Sequence, residues 1–117
     1  MKFMFPNKHA IYLHDTPARS LFGRTQRAFS HGCIRVGEPL ELARQLLAGV
    51  PGKWSMRKIR SVVDSRERTR VNLPDPLPVH LTYSTVFRGT NGALNFRPDV
   101  YGRDKKLYRA LFAKHTS

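Results

Sequence analysis

The sequence predicts a mainly β domain with flanking helices, an α+β arrangement. Three observations predict it. Apolar residues alternate at period two near the start and again after residue 78, and an Asn-Gly turn joins two of the alternating runs. Between them, apolar residues recur at helical spacing over about residues 38–63.

In chain order, residues 3–14 read as two short strands about a turn. Phe3 and Phe5 alternate, Pro6-Asn7-Lys8 punctuates, and Ala10 to Leu13 is again apolar or aromatic. Asp15 to Phe29 has no clean period and holds Pro17, Gly23 and three Arg, which predicts a long surface loop. Glu38-Pro39 opens a helix, because proline fits an early helical position and acids suit the first turn. Its stripe is Leu40, Ala43 and Leu47 with Leu42 and Leu46 beside them, and Gly49 and Pro51 end it. Ser55 caps a second helix, on which Met56, Ile59, Val62 and Val63 recur, while Arg57, Lys58, Arg60 and Ser61 form a solvated side. The three prolines Pro74, Pro76 and Pro78 forbid a helix in the connector that runs from Ser65 to Pro78. Val79, Leu81, Tyr83, Thr85 and Phe87 alternate as one face of a half-buried strand. Gly89-Thr90-Asn91-Gly92 turns it into a hairpin, with Leu94 and Phe96 on the return. Tyr83, Phe87 and Phe96 are expected in the core, because they fall at period two within that hairpin. A last helix is expected from Asp104 to about Ala113, with Leu107 and Leu111 beside Tyr108 and Phe112.

The 117 residues suit one domain, and 40% of them are apolar, enough for a core. No apolar run is long enough to span a membrane, and Lys2 and Lys8 interrupt the opening one, so no secretory h-region is expected within the residues before the first motif. An export signal for the parent protein would lie upstream of Met1. Lys and Arg outnumber Asp and Glu 21 to 8, a formal charge of +13 that favours acidic partners and says nothing about fold. Nucleic acid, anionic lipid headgroups and a carboxylate-rich wall polymer all satisfy it, and by charge alone nucleic acid comes first.

One cysteine excludes an internal disulfide and a Cys-rich zinc site. It leaves either a small buried hydrophobe or a thiol nucleophile. The chemistry-bearing residues are His14-Asp15-Thr16-Pro17 and Ser30-His31-Gly32-Cys33-Ile34-Arg35. A thiol attacks as thiolate, which a nearby His⁺ or a cluster of backbone N–H groups stabilises. The His31-Gly32-Cys33 turn supplies such N–H groups, and Gly32 lets a substrate backbone approach. The amides of Gly32 and Cys33 are candidates for an oxyanion hole. Two histidines compete as base. His31 lies two residues before the thiol, on the same side of an extended stretch. His14 ends a predicted strand 19 positions earlier and would be brought opposite by the loop. Local logic leaves that choice open.

His14, a 15-residue gap from Asp15 to Phe29, and then Ser30-His31-Gly32-Cys33-Ile34-Arg35 resemble the signature of the L,D-transpeptidase catalytic domain, the YkuD type. The likeness extends over Lys2 to Asn7, Ile11 to Pro17, Ala28 to Arg35, Leu77 to Val79 and Asp99 to Gly102, which resemble the large periplasmic, YcbB-like branch. The resemblance implies Cys33 as nucleophile, His14 as general base, and the main-chain carbonyl of Asp15 as the orienter of His14. It assigns the Gly32 and Cys33 amides to the oxyanion hole. His31, Tyr12 and Ser30 become supporting residues on the substrate side. Arg35 stands where many members have Asn; it either binds a stem-peptide carboxylate or supports the Cys loop.

The implied reaction forms 3→3 cross-links between peptidoglycan stem peptides. Cys33 attacks the diaminopimelate carbonyl of a tetrapeptide donor, expels D-alanine, and passes the acyl group to a diaminopimelate amine of an acceptor stem. Carbapenems are expected to acylate the same thiol, and the periplasm or cell envelope is the expected location. No metal or organic cofactor is expected: His14, His31 and Cys33 have ligand chemistry, but no fourth ligand is suggested. The competing class is a basic nucleic-acid-binding module. It needs a groove-reading helix or an aromatic platform, and neither is evident, so no nucleic acid is expected. His9, His80 and His115 are expected to have no role.

The resemblance also implies one incomplete catalytic domain over residues 1–117, with a catalytic core in 1–50 and a helix and hairpin region in 51–117. It would be a partial β-sandwich lacking its N-terminal strands. The strands around Phe3–Phe5 and Val79–Phe87 are then expected to show unpaired edges and exposed Phe or Leu side chains.

Overall fold

The computed structural model describes residues 1–113; the expectation for His115 lies outside them. The chain divides into two compact units, Met1–Val79 and His80 onward. The described residues hold two small sheets and three α-helices, an α+β architecture.

The first unit opens with β1 (Lys2–Met4) and β2 (Tyr12–His14), paired antiparallel with Lys2 opposite His14, Phe3 opposite Leu13 and Met4 opposite Tyr12. Asn7 closes the turn between them. Its Oδ1 accepts from the amides of His9 and Ile11, while its Nδ2 donates to the carbonyls of Phe5 and Ile11. This is the local side-chain bonding that makes Asn a turn former. β3 (Ile34–Arg35) adds to β2 in parallel, giving the order β1-β2-β3. A parallel neighbour requires a crossover. Residues 15–33 supply it, and they include a 3-10 turn over Arg19–Gly23 where the sequence suggested only a loop.

α1 (Pro39–Leu46) and α2 (Met56–Asp64) follow and pack on each other. Pro39 occupies the start of α1, and Ser55 caps α2 by accepting the Lys58 amide. The core residues Ala43 and Ile59, only 5% and 3% exposed, come one from each helix. On the surface of α1, the Glu41 carboxylate takes a two-pronged contact from Arg44 and a third bond from Gln45, and those partners hold its pKa down at about 2.

The second unit contains the hairpin β4 (Val86–Arg88) and β5 (Leu94–Phe96), then α3 (Arg103–Phe112). Gly92 takes a φ of +79°, the left-handed conformation that an Asn-Gly turn calls for. The strand expected over Val79–Phe87 is shorter than the alternation suggests and begins at Val86. A strand exists only where a partner completes its ladder. β5 supplies one for three residues, the Arg97 amide adds one bond to Thr85, and Pro98 then has no N–H to continue.

The earlier stretch is held by side chains instead. The Tyr83 hydroxyl donates to Asp99, whose carboxylate also accepts the Arg103 and Asp104 amides at the start of α3. Partial burial alone would raise the Asp99 carboxyl, but these donors outweigh it and lower its pKa; burial, helped by Asp99, raises that of Tyr83.

The expectation of a buried aromatic row in this unit is corrected. Tyr83 is half-buried, but Phe87 and Phe96 are exposed, Phe96 by 68%. The hairpin has only two strands, so outward-facing side chains find no layer to cover them. In the first unit Phe3 and Phe5 are half-buried, whereas Met4 is 71% exposed.

Candidate functional site

The parallel pairing of β2 and β3 sets Leu13 beside Ile34 and His14 beside Arg35. Residues in register on neighbouring strands share a face, and along one strand the faces alternate. His14 and Tyr12 therefore share a face with Arg35. Cys33 lies two residues before Arg35, immediately outside β3, where continued alternation would keep it on that face. The antiparallel register adds Lys2 and Met4 from β1 to it. Phe3, Leu13 and Ile34 occupy the opposite, apolar face. Cys33, immediately before β3, and His14, at the end of β2, are 19 residues apart in sequence and are brought to neighbouring segments of one sheet, and both are half-buried.

His14 is oriented by its own neighbour. Its Nδ1 lies 2.6 Å from the Asp15 carbonyl oxygen. A carbonyl oxygen only accepts, so Nδ1 carries the proton, and in the neutral ring Nε2 presents a lone pair. The Tyr12 ring stands edge-on to the imidazole, with centroids 5.8 Å apart. His31, the competing histidine, is exposed in the bend before Cys33.

The Cys turn is shaped by Ser30 and Gly32. Ser30 Oγ donates to the Cys33 carbonyl at 2.5 Å and accepts the Gly32 amide at 3.2 Å. The Gly32 N–H is thereby engaged within the turn. The Val36 amide points to β2, donating to the His14 carbonyl at 2.9 Å. Successive strand amides point to opposite edges, so the Arg35 amide faces the edge of β3 away from β2. Gly32 itself has a φ of +154°, and a Cβ placed there would lie 3.1 Å from Ile11 Cγ1.

Two supporting roles escaped the sequence reading, that of Thr16 within the His14 motif and that of Arg19 outside it. Thr16 is 7% exposed; its amide donates to Asp15 Oδ1, and its hydroxyl accepts the Ala18 amide. Thr16 before Pro17 is a recognisable side-chain turn signal. Arg19 lies 3.6 Å from the Asp15 carboxylate and donates to the Gly37 carbonyl at 2.9 Å, tying the segment after His14 to the segment after Cys33. No local pattern announces that contact. Among the described residues, no cluster of three or more His, Cys, Asp or Glu side chains could hold a metal ion.

A thiol one strand away from a histidine with a tethered Nδ1 is the equipment of a cysteine acyl-transfer site. The sequence profile of the L,D-transpeptidase catalytic domain, YkuD, matches residues 1–73, more than half the chain and all within the first unit. The chain belongs to that family. It is 39% identical over 106 residues to a Haemophilus influenzae protein named "Putative L,D-transpeptidase", covering 91% of this chain and 21% of that protein. The chain thus spans about a fifth of the length of the curated relative it matches.

Proposed function

We propose that this chain is part of a cysteine L,D-transpeptidase that forms 3→3 peptidoglycan cross-links through a Cys33 thioester. The single observation that carries the reading is the His14 Nδ1 bond to the Asp15 carbonyl, which leaves Nε2 as base on the face that Cys33 shares. Nε2 takes the thiol proton, and the thiolate adds to the diaminopimelate carbonyl of a tetrapeptide donor. The Cys33 amide is the oxyanion donor; the Gly32 amide would have to leave Ser30 Oγ to join it. The adduct collapses as the imidazolium gives its proton to the leaving D-alanine amine. A diaminopimelate amine of a second stem then attacks the thioester, the new amide forms, and the thiol regains its proton.

Tyr12 and Ser30 wall and shape this site, Arg35 offers a cation beside His14, and His31 acts in support. By the same reading the parent protein belongs to the large periplasmic branch and works in the periplasm or cell envelope. Neither the fold nor the comparisons favour the nucleic-acid alternative.

The reading is tested by exposing folded protein to a carbapenem and weighing it. One drug mass per chain is expected, absent in Cys33→Ser. In His14→Ala acylation should slow by about two to four orders of magnitude, the usual worth of a positioned general base. A folded protein whose Cys33 stays unmodified would overturn it.

A further inference from the structure

The face that carries Cys33 and His14 is flanked by a cation on each outer strand. Arg35 of β3 lies beside His14 on one side, and Lys2 of β1 lies directly opposite His14 on the other. Lys2 is exposed, yet its ammonium has a partner. Its Nζ sits over the Tyr12 ring, 4.6 Å from the centroid, a cation–π contact that holds the ammonium above the site face. Tyr12 and Cys33 are the residues that immediately precede the paired Leu13 and Ile34. The ammonium is therefore held over the central strand of the sheet that also carries His14. Among the described residues, neither Lys2 nor Arg35 forms an ion pair. Asp15, the acid nearest Lys2 in sequence, already accepts the Thr16 amide and lies 3.6 Å from Arg19.

We infer that Lys2 and Arg35 form a carboxylate-binding subsite beside Cys33, with Lys2 the substrate-positioning cation that Tyr12 holds in place. A ring-tethered ammonium has lost part of its rotamer freedom before the ligand arrives, so less is lost on binding. Lys2 supplies a point charge and Arg35 a planar fork, a pair suited to an anionic group lying across the sheet. That the carboxylate belongs to a stem-peptide donor rests on the function proposed above; the subsite itself rests only on register and contacts.

Cys33 is the sole cysteine, so alkylation reports on this site alone. Iodoacetate and iodoacetamide differ mainly by the carboxylate. Lys2→Met should lower the ratio of their rates at Cys33 by about threefold to fivefold, the scale of one exposed ion pair. Lys2→Arg should restore the ratio, and molar salt should erase the difference between the proteins. An unchanged ratio in Lys2→Met, or equal slowing of both reagents, overturns the subsite. In a second arm, tetrapeptide donors carrying a free or an amidated diaminopimelate carboxylate are compared. Lys2→Met should raise KM for the free acid alone; equal effects on both donors would remove the donor as its ligand. If neither donor is turned over while the alkylation ratio still falls, the transpeptidase reading fails and the carboxylate subsite stands.

Discussion

Gly32 is a residue at which two physical demands meet. Its φ of +154° is one that L side chains rarely adopt, and a Cβ there would meet the Ile11 side chain at 3.1 Å, closer than ordinary van der Waals contact. Gly32→Ala should therefore cost about 1–3 kcal/mol in urea unfolding, the scale of a forced backbone conformation. It should also slow alkylation of Cys33, because the next residue is the thiol. Trimming Ile11 to Ala in the same chain should recover only the steric share. Full recovery would show that the backbone conformation carries no strain. Ser30 illustrates a different dependence: its hydroxyl gives one bond to the Cys33 carbonyl and takes one from the Gly32 amide, so it decides which turn amides remain free for chemistry.

At the scale of elements, the surface of α1 makes a pH-dependent prediction. Glu41 is bound by Arg44 first and Gln45 second, and its pKa falls from 4.5 to about 2. A carboxyl lowered in the folded state contributes stability that is complete above its unfolded pKa and is lost as pH falls through the folded one. For Glu41 that window lies between about 4.5 and 2. The carboxyl carbon resonance of Glu41 should thus titrate near 2 at low salt and move upwards as salt screens the exposed pair. A midpoint near 4.5 at low salt would mean that the Arg44 contact is not held in solution.

The elements also differ in how far the sequence announced them. α1 and α2 were legible because Pro39, Ser55 and their apolar stripes are local signals, each within one or two turns of what it specifies. The alternation from Val79 to Phe87 was equally clear but mostly did not become a strand, because pairing needs a second chain segment that alternation cannot reveal. At the site, the family-like motif marked Cys33 and His14, while Arg19 reaching Gly37 depends on a crossover that only the fold brings about.

For the whole molecule, the balance of buried and exposed apolar surface is the governing fact. Few apolar side chains are deeply buried, while Leu107, Tyr108, Leu111 and Phe112 of α3 and Phe87, Leu94 and Phe96 of the hairpin are all exposed. Apolar residues gathered in this way favour association, and a small core gives modest stability. The isolated chain should accordingly show concentration-dependent mass in sedimentation velocity, together with a broad thermal transition. Phe96→Ser with Leu111→Ser should reduce the association. A strictly monomeric chain with a sharp transition would contradict this. Any partner that covers these side chains would stabilise the folded form by mass action.

The crossover between β2 and β3 has a consequence for how such proteins vary over time. The ladder bond from Val36 to His14 and the strap from Arg19 to Gly37 fasten the two ends of the excursion, while residues 24–30 between them lie exposed. Doubling a flexible loop adds only about 0.6 kcal/mol of closure entropy. The number of residues separating the histidine from the cysteine is therefore almost free to drift, whereas a one-residue slip of β3 along β2 would turn Cys33 to the opposite face. Lineages can lengthen or shorten that excursion and keep the pair. A search for distant kin should leave that distance elastic and hold fixed the strand-ending histidine and the glycine-cysteine step.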